Sequence, residues 1–243
     1  MTEPMRSVRL LPCGDTAVAV EFGTEIDPAV STRVLALDAA LNDDRPAGLV
    51  ETVPTYRSLM VQFDPLVFDY EAFEQRVTVL AALLDPEPKP GRRWKVPVVY
   101  GGEFGIDLEP TAERHGLTPA QLIDKHSAPV YRVYMIGFMP GFTYLGGLDP
   151  SIATPRRPDP RPMTPAGIIS IGGIQALIGG QAMPSGWHLL GRTPVRTFMA
   201  GREPAFLTAA GDEVVFEPTD AARWAELERA AGAGEPVAEL LAP

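Results

Sequence analysis

The nine residues DPEPKPGRR, Asp85–Arg93, hold three prolines, one glycine and five charged side chains. Each proline fixes φ and removes a backbone donor, so neither a helix nor a sheet ladder can run through them. The break predicts two units, residues 1–88 and 89–243. Before it, helical and strand periods alternate. Ala17–Phe22 reads as a strand, and Pro28–Asn42 as a helix with Val30, Val34, Leu37 and Leu41 on one stripe. Gly48–Pro54 and Ser58–Phe63 read as strands, and Glu71–Leu84 as a second helix striped by Phe73, Val77, Leu80 and Leu84. The sequence VEF then DPAV (Val20–Val30) is echoed by VQF then DPLV (Val61–Val67). A strand–helix–strand unit used twice predicts a ferredoxin-like α/β domain.

After the break the pattern changes to short β-prone runs between glycines and prolines: Val96–Gly102, Val130–Ile136, Ile168–Ile171, Ile174–Ile178, Trp187–Leu190 and Val214–Phe216. These predict a compact β-barrel. Thr118-Pro119 marks a helix start, and Asp220–Gly232 reads as a surface helix with Trp224 and Leu227 inward. His115 and His126 fall in the helical stretch and are expected to face solvent. The fold class is therefore α+β.

Charge and composition exclude several function classes. The net charge of −10 opposes non-specific nucleic-acid binding. No apolar run is long enough to cross a bilayer, and MTEPMRSVRL lacks the apolar core of a signal peptide. The one cysteine, Cys13, leaves no intramolecular disulfide and no cysteine-clustered metal site. A cytoplasmic protein with no membrane partner and no metal of its own is expected. Charge is also unevenly placed. From Tyr131 to Arg202 there are seven arginines, no lysine, no glutamate and two aspartates, a segment of +5 in a chain that is otherwise −15. Arginine without lysine suits planar, bidentate recognition of carboxylate or phosphate.

Gly-Lys-Ser/Thr, GxGxxG after a strand, HExxH and GxSxG are all missing. Three stretches of the arginine-rich segment remain. GFMPGFTYLGGL, Gly137–Leu148, predicts a type II turn at Met139-Pro140-Gly141-Phe142 that brings Phe138 near Phe142, with Tyr144 on the face of Phe142. Gly141 lets a ligand approach the backbone. On these residues alone a structural corner and a ligand loop are evenly matched. TPRRPDPRPMTPAG, Thr154–Gly167, is proline-stiffened and carries Arg156, Arg157 and Arg161; for Arg157 an exposed linker position is the expectation. GGIQALIGGQAMPSGWHLLGRTP, Gly172–Pro194, brings Gln175, Trp187, His188, Arg192 and Thr193 into one run. Such a set suits a flat ligand bearing an amide and a carboxylate.

The blocks GFMPGFTYLGGL, PRRPDPR, TPAG and SGWHLLGRTP, in this order after an N-terminal Gly14-Asp15, resemble the KipI / allophanate hydrolase subunit 1 family, which includes the B-type subunit of bacterial ATP-dependent 5-oxoprolinase. The resemblance covers nearly the whole chain. It departs from the family pattern at Thr164, at Gly179-Gly180 where Tyr-Pro is usual, and at Ser185. It implies a C-terminal cyclophilin-like barrel and a partner of the allophanate hydrolase subunit 2 / KipA type. It also implies a third component of the LamB/YcsF type. The implied reaction opens the lactam of 5-oxo-L-proline to L-glutamate with ATP, whose counter-ion is Mg and which binds at a subunit interface or mainly on the partner. On that reading Arg161 and Arg192 hold a carboxylate or phosphate, and His188 is the proton-transfer group. Phe138, Phe142 and Tyr144 wall the ring beside Gly141 and Trp187, Gln175 reads the amide, and Thr193 completes the pocket. The resemblance also leaves a regulatory protein that inhibits a sensor histidine kinase, and an allophanate- or urea-processing subunit.

Overall fold

A computed structural model describes residues 8–84 and 91–241; the linker expected at Asp85–Arg93 lies largely outside them. The chain divides into two compact units at Lys89/Pro90.

The first unit contains β1 (Arg9–Pro12), β2 (Ala17–Glu21), α1 (Pro28–Asp43), β3 (Leu49–Pro54), β4 (Ser58–Phe63) and α2 (Tyr70–Leu83). The sheet order is β1-β2-β4-β3. β4 is antiparallel to both β2 and β3, so those two run parallel and α1 connects them. Among the described residues no strand of this sheet follows α2. Its place on the free edge of β2 is taken by β1, from the start of the chain. Both helices begin where the sequence offers a cap. The Asp27 carboxylate accepts from the Ala29 and Val30 N–H groups, and Asp69 from Ala72. Val34, Leu37 and Leu41 of α1 and Phe73, Val77 and Ala81 of α2 close onto Val18, Val20, Leu59 and Val61 of the sheet.

The second unit contains β5 (Arg93–Tyr100), α3 (Leu108–Arg114), α4 (Pro119–Ser127), β6 (Tyr131–Ile136), β7 (Thr143–Gly146), β8 (Arg161–Thr164), β9 (Ile168–Gly172), β10 (Gln175–Gly179), β11 (Met183–Ser185), β12 (His188–Arg192), β13 (Glu213–Thr219), α5 (Ala221–Gly232) and β14 (Glu239–Leu241). Seven strands close in the order β12-β9-β10-β7-β6-β13-β5, with β5 returning to β12. One edge of β5 pairs along its length with β13. The other is shared: β14 takes Arg93–Lys95, and β12 takes Val99 and Tyr100. Short strands between glycines and prolines therefore form a closed wall, which removes the exposed edges an open sheet would leave.

Side chains of one parity from all seven strands, including Val96, Val98, Val133, Leu145, Ile169, Ile171, Ile178 and Val214, meet in one cluster. A face common to every strand of a closed wall is its interior. The opposite parity on part of the wall, Ile168, Leu177 and Leu189, forms a second cluster with Phe142, Met183 and Trp187. The small β8–β11 sheet lies beside it.

One expectation fails here. His126 is fully buried rather than facing solvent. It lies one helical step from buried Leu122, on the inward face of α4. Its ring stacks on Phe216 at 5.0 Å, and its Nδ1 is 2.8 Å from the Tyr100 hydroxyl. Burial alone pushes its pKa down to about 3. His115 is half-buried, with Nε2 2.9 Å from the Thr154 hydroxyl.

Candidate functional site

The turn at 139–142 folds as its residues demand. The Phe142 N–H donates to the Met139 carbonyl at 3.0 Å, and Gly141 has φ +77°, the signature of a type II turn. A side chain at 141 would also collide with Thr197 Oγ1 at 2.5 Å and Phe198 Cβ at 2.8 Å. Gly141→Ala is accordingly expected to cost at least ~1–2 kcal/mol from the left-handed backbone alone, measured as a lower denaturant midpoint. The turn brings Phe138 and Phe142 into edge-to-face contact at 5.4 Å. Phe142 meets Tyr144 at 4.6 Å, and Tyr144 meets Trp187 at 6.3 Å.

These four rings line a cavity of about 420 Å³ on the outer face of the barrel. Arg156, Arg157, Pro158 and Pro160 form one side, and Pro184, Ser185 and Gly186 another. The Ser185 hydroxyl accepts from the Trp187 N–H at 3.2 Å, which fixes the bend between β11 and β12 that carries the indole. Burial raises the Tyr144 phenol, with the Arg156 charge opposing it, so Tyr144 stays protonated and apolar in character at neutral pH.

The arginines divide into two kinds. Arg161 is engaged: its Nη1 and Nη2 donate to the two oxygens of Asp107 at 2.8 and 2.7 Å. Asp107 is buried just before α3 and also accepts from the Leu189 N–H at 2.8 Å. Arg192 donates through Nε and Nη2 to the Ala166 carbonyl and lies 4.9 Å over the Trp224 ring of α5. Burial lowers the Arg192 pKa, as expected for a guanidinium used in packing. Arg156 and Arg157 instead face the cavity. Arg156 lies 5.3 Å over the Trp187 ring and forms no salt bridge among the described residues. Arg157 is half-buried, steered by Asp107 Oδ1 at 3.5 Å and tied by its backbone N–H to the Gly186 carbonyl. Its buried Nε has no partner among the described residues. The exposed-linker expectation for Arg157 therefore gives way to a held position in the wall.

Of the residues singled out from sequence, Phe138, Phe142, Tyr144 and Trp187 line the cavity, and Gly141 shapes its turn. His188 is buried on β12, and its Nε2–H donates to the Pro155 carbonyl at 2.8 Å. Gln175 starts β10 opposite Gly172, and Thr193 accepts from the Val195 N–H; neither lines the cavity. Sequence reasoning missed Asp107, whose one cue was being the second acidic residue of GEFGIDL, just before a helix. No group of three or more His, Cys, Asp or Glu side chains able to hold a metal occurs among the described residues. No helix among them is long and apolar enough to cross a membrane.

The second unit is thus a closed barrel with an aromatic, arginine-lined cavity on its outer wall, and comparison with known proteins gives its class. The family model for the carboxyltransferase domain, subdomains C and D, matches residues 8–208. A Bacillus subtilis (strain 168) protein named as the B subunit of 5-oxoprolinase is 37% identical over 214 residues, covering 84% of this chain and 89% of its own. The chain belongs to the carboxyltransferase subdomain C and D family, and within it to the group of the 5-oxoprolinase B subunit. The crystal structure of TTHA0988 is 33% identical with a TM-score of 0.75, covering 88% of this chain, which spans only 40% of that longer one. The Kluyveromyces lactis urea amidolyase structure shares the fold at a TM-score of 0.84 and 18% identity, over 98% of this chain and 16% of its own.

Proposed function

We propose that this chain is the B-type component of a cytoplasmic, ATP-dependent 5-oxoprolinase, active with a partner of the allophanate hydrolase subunit 2 / KipA type and a third component of the LamB/YcsF type. The names of its relatives suggest the reaction, and the cavity supports it. An aromatic floor beside two arginines suits a small, flat lactam that carries a carboxylate. In this reading Phe142, Tyr144 and Trp187 seat the ring, while Arg156 and Arg157 take the charge. Arg161, Arg192 and His188, all engaged with protein groups, position the surrounding loops. We further read the first unit as a permuted ferredoxin-like domain, in which β1 supplies the strand that would otherwise follow α2. The second we read as a cyclophilin-like barrel, with the domain boundary at the proline-rich segment.

An unstrained amide resists water. Phosphorylation of its oxygen by ATP creates a leaving group and a better electrophile, and the negative charge that develops needs fixed cationic donors. This chain has no phosphate-binding glycine loop, so ATP and its Mg counter-ion are assigned to the interface with the partner, or to the partner itself. The test is co-purification with the KipA-type and LamB/YcsF-type proteins, followed by ADP release with and without 5-oxo-L-proline. ADP and L-glutamate formed together, only when 5-oxo-L-proline is present, is the expected result. ATP hydrolysis indifferent to 5-oxo-L-proline would refute the assignment.

A further inference from the structure

Phe138 has φ 66°, the one positive φ outside glycine among the described residues. The Met139 N–H donates across it to the Gly137 carbonyl at 2.8 Å. That closes a three-residue turn of the rarer, strained hand. A Cβ in this region crowds the backbone, and such residues gather at ligand clamps. The glycine that would relieve the strain stands one position earlier. At Gly137 positive φ is not used, and an added Cβ would meet only Met135 Cε at 3.6 Å. Glycine and phenylalanine therefore stand in the reverse of the order local preference would choose.

Packing does not compensate. Phe138 is 66% exposed, and its ring meets Phe142 edge to face. The loop has no freedom to relax either. The Gly137 N–H is tied to the Phe142 carbonyl at 3.1 Å, and Gly141 is pinned against Thr197. What the strained backbone accomplishes is to hold an aromatic ring at the mouth of the cavity that Arg156 and Arg157 line.

We propose that Phe138 is the specificity-determining clamp of this cavity: its ring is held out by backbone strain to close over the flat face of an anionic ligand. Only the identity of that ligand rests on the 5-oxoprolinase reading. Phe138→Ala and Phe138→Gly both remove the ring, but only glycine removes the strain. The Gly variant of the full chain should melt about 2–4 °C above the Ala variant, the reverse of the usual order. In the Gly variant iodide should quench Trp187 fluorescence at least about twofold more than in wild type, since ring and clamp are gone. That increment should vanish in Phe138→Gly/Trp187→Phe. In the reconstituted complex KM for 5-oxo-L-proline should rise roughly tenfold, with kcat changed less than about twofold. An Ala variant as stable as the Gly variant overturns the strain. Unchanged quenching overturns the clamp, as does an unchanged KM in a complex that turns over 5-oxo-L-proline. A wild-type complex with no 5-oxo-L-proline turnover removes the functional reading, while melting and quenching still judge Phe138.

Discussion

Asp107→Ala is expected to destabilise the chain by about 3–5 kcal/mol, the range for breaking a buried ion pair by removing one partner. The Asp107 side chain is 5% exposed and that of Arg161 is 21%. Losing the carboxylate leaves a two-pronged guanidinium and the Leu189 N–H without their acceptor. The same carboxylate steers Arg157, so surviving folded protein should bind its ligand weakly, with KM raised more than kcat is lowered. Asp107→Asn keeps one oxygen acceptor and should lose less stability while still releasing Arg157. Denaturant midpoints for both variants, alongside KM in the complex, check this. Equal midpoints for wild type and Asp107→Ala would contradict the role given to Asp107.

Acid should unfold the chain through His126. The pKa of its folded form is about 3, against 6.5 for an unperturbed histidine. Between those values the unfolded chain holds a proton that the folded chain excludes. Stability is therefore fully present above pH 6.5 and falls as the pH drops. The slope is roughly 1.4 kcal/mol per pH unit, approaching 4–5 kcal/mol near pH 3. His126→Phe removes this proton. It leaves the Tyr100 hydroxyl without its Nδ1 partner, at a cost of about 1–2 kcal/mol at neutral pH. Its stability should then decline less steeply than wild type between pH 6.5 and 3. Parallel curves for the two proteins would show that His126 does not carry the acid response.

The helices of the first unit were legible because caps and stripes agree. Asp27 and Asp69 stand before the helices they cap, and the inward residues repeat every three to four positions. The turn at Met139–Phe142 was legible because proline and glycine each meet one backbone requirement. β1 was not: Arg9–Pro12 is four residues with a mixed pattern, and it counts as a strand only through its partner β2. His126 was misread because its type suggested solvent, while its spacing from Leu122 carried the correct signal. The arginine-rich segment contains the guanidinium groups that line the cavity, Arg156 and Arg157, but these are not the two singled out from sequence. Arg161 and Arg192 sit in the family-like blocks, yet their partners, Asp107 and the Ala166 carbonyl, are 54 and 26 residues away along the chain. Long-range pairing of this kind leaves no local trace. It decides which guanidinium is bound by the protein and which is turned to the cavity.

The cavity of Phe138, Phe142, Tyr144 and Trp187 is proposed to bind its ligand through Arg156 and Arg157. The most direct measurement is the KM for 5-oxo-L-proline in the complex with the KipA-type and LamB/YcsF-type components, comparing wild type, Arg156→Ala/Arg157→Ala and Arg192→Ala. Loss of two charge-assisted contacts worth about 1.5–3 kcal/mol each should raise KM by at least roughly 100-fold in the double variant. Folded Arg192→Ala should stay within about threefold of wild type, because that side chain donates to the Ala166 carbonyl and lies over Trp224 of α5. A double variant with wild-type KM, or a 100-fold loss confined to Arg192→Ala, would contradict ligand binding by Arg156 and Arg157.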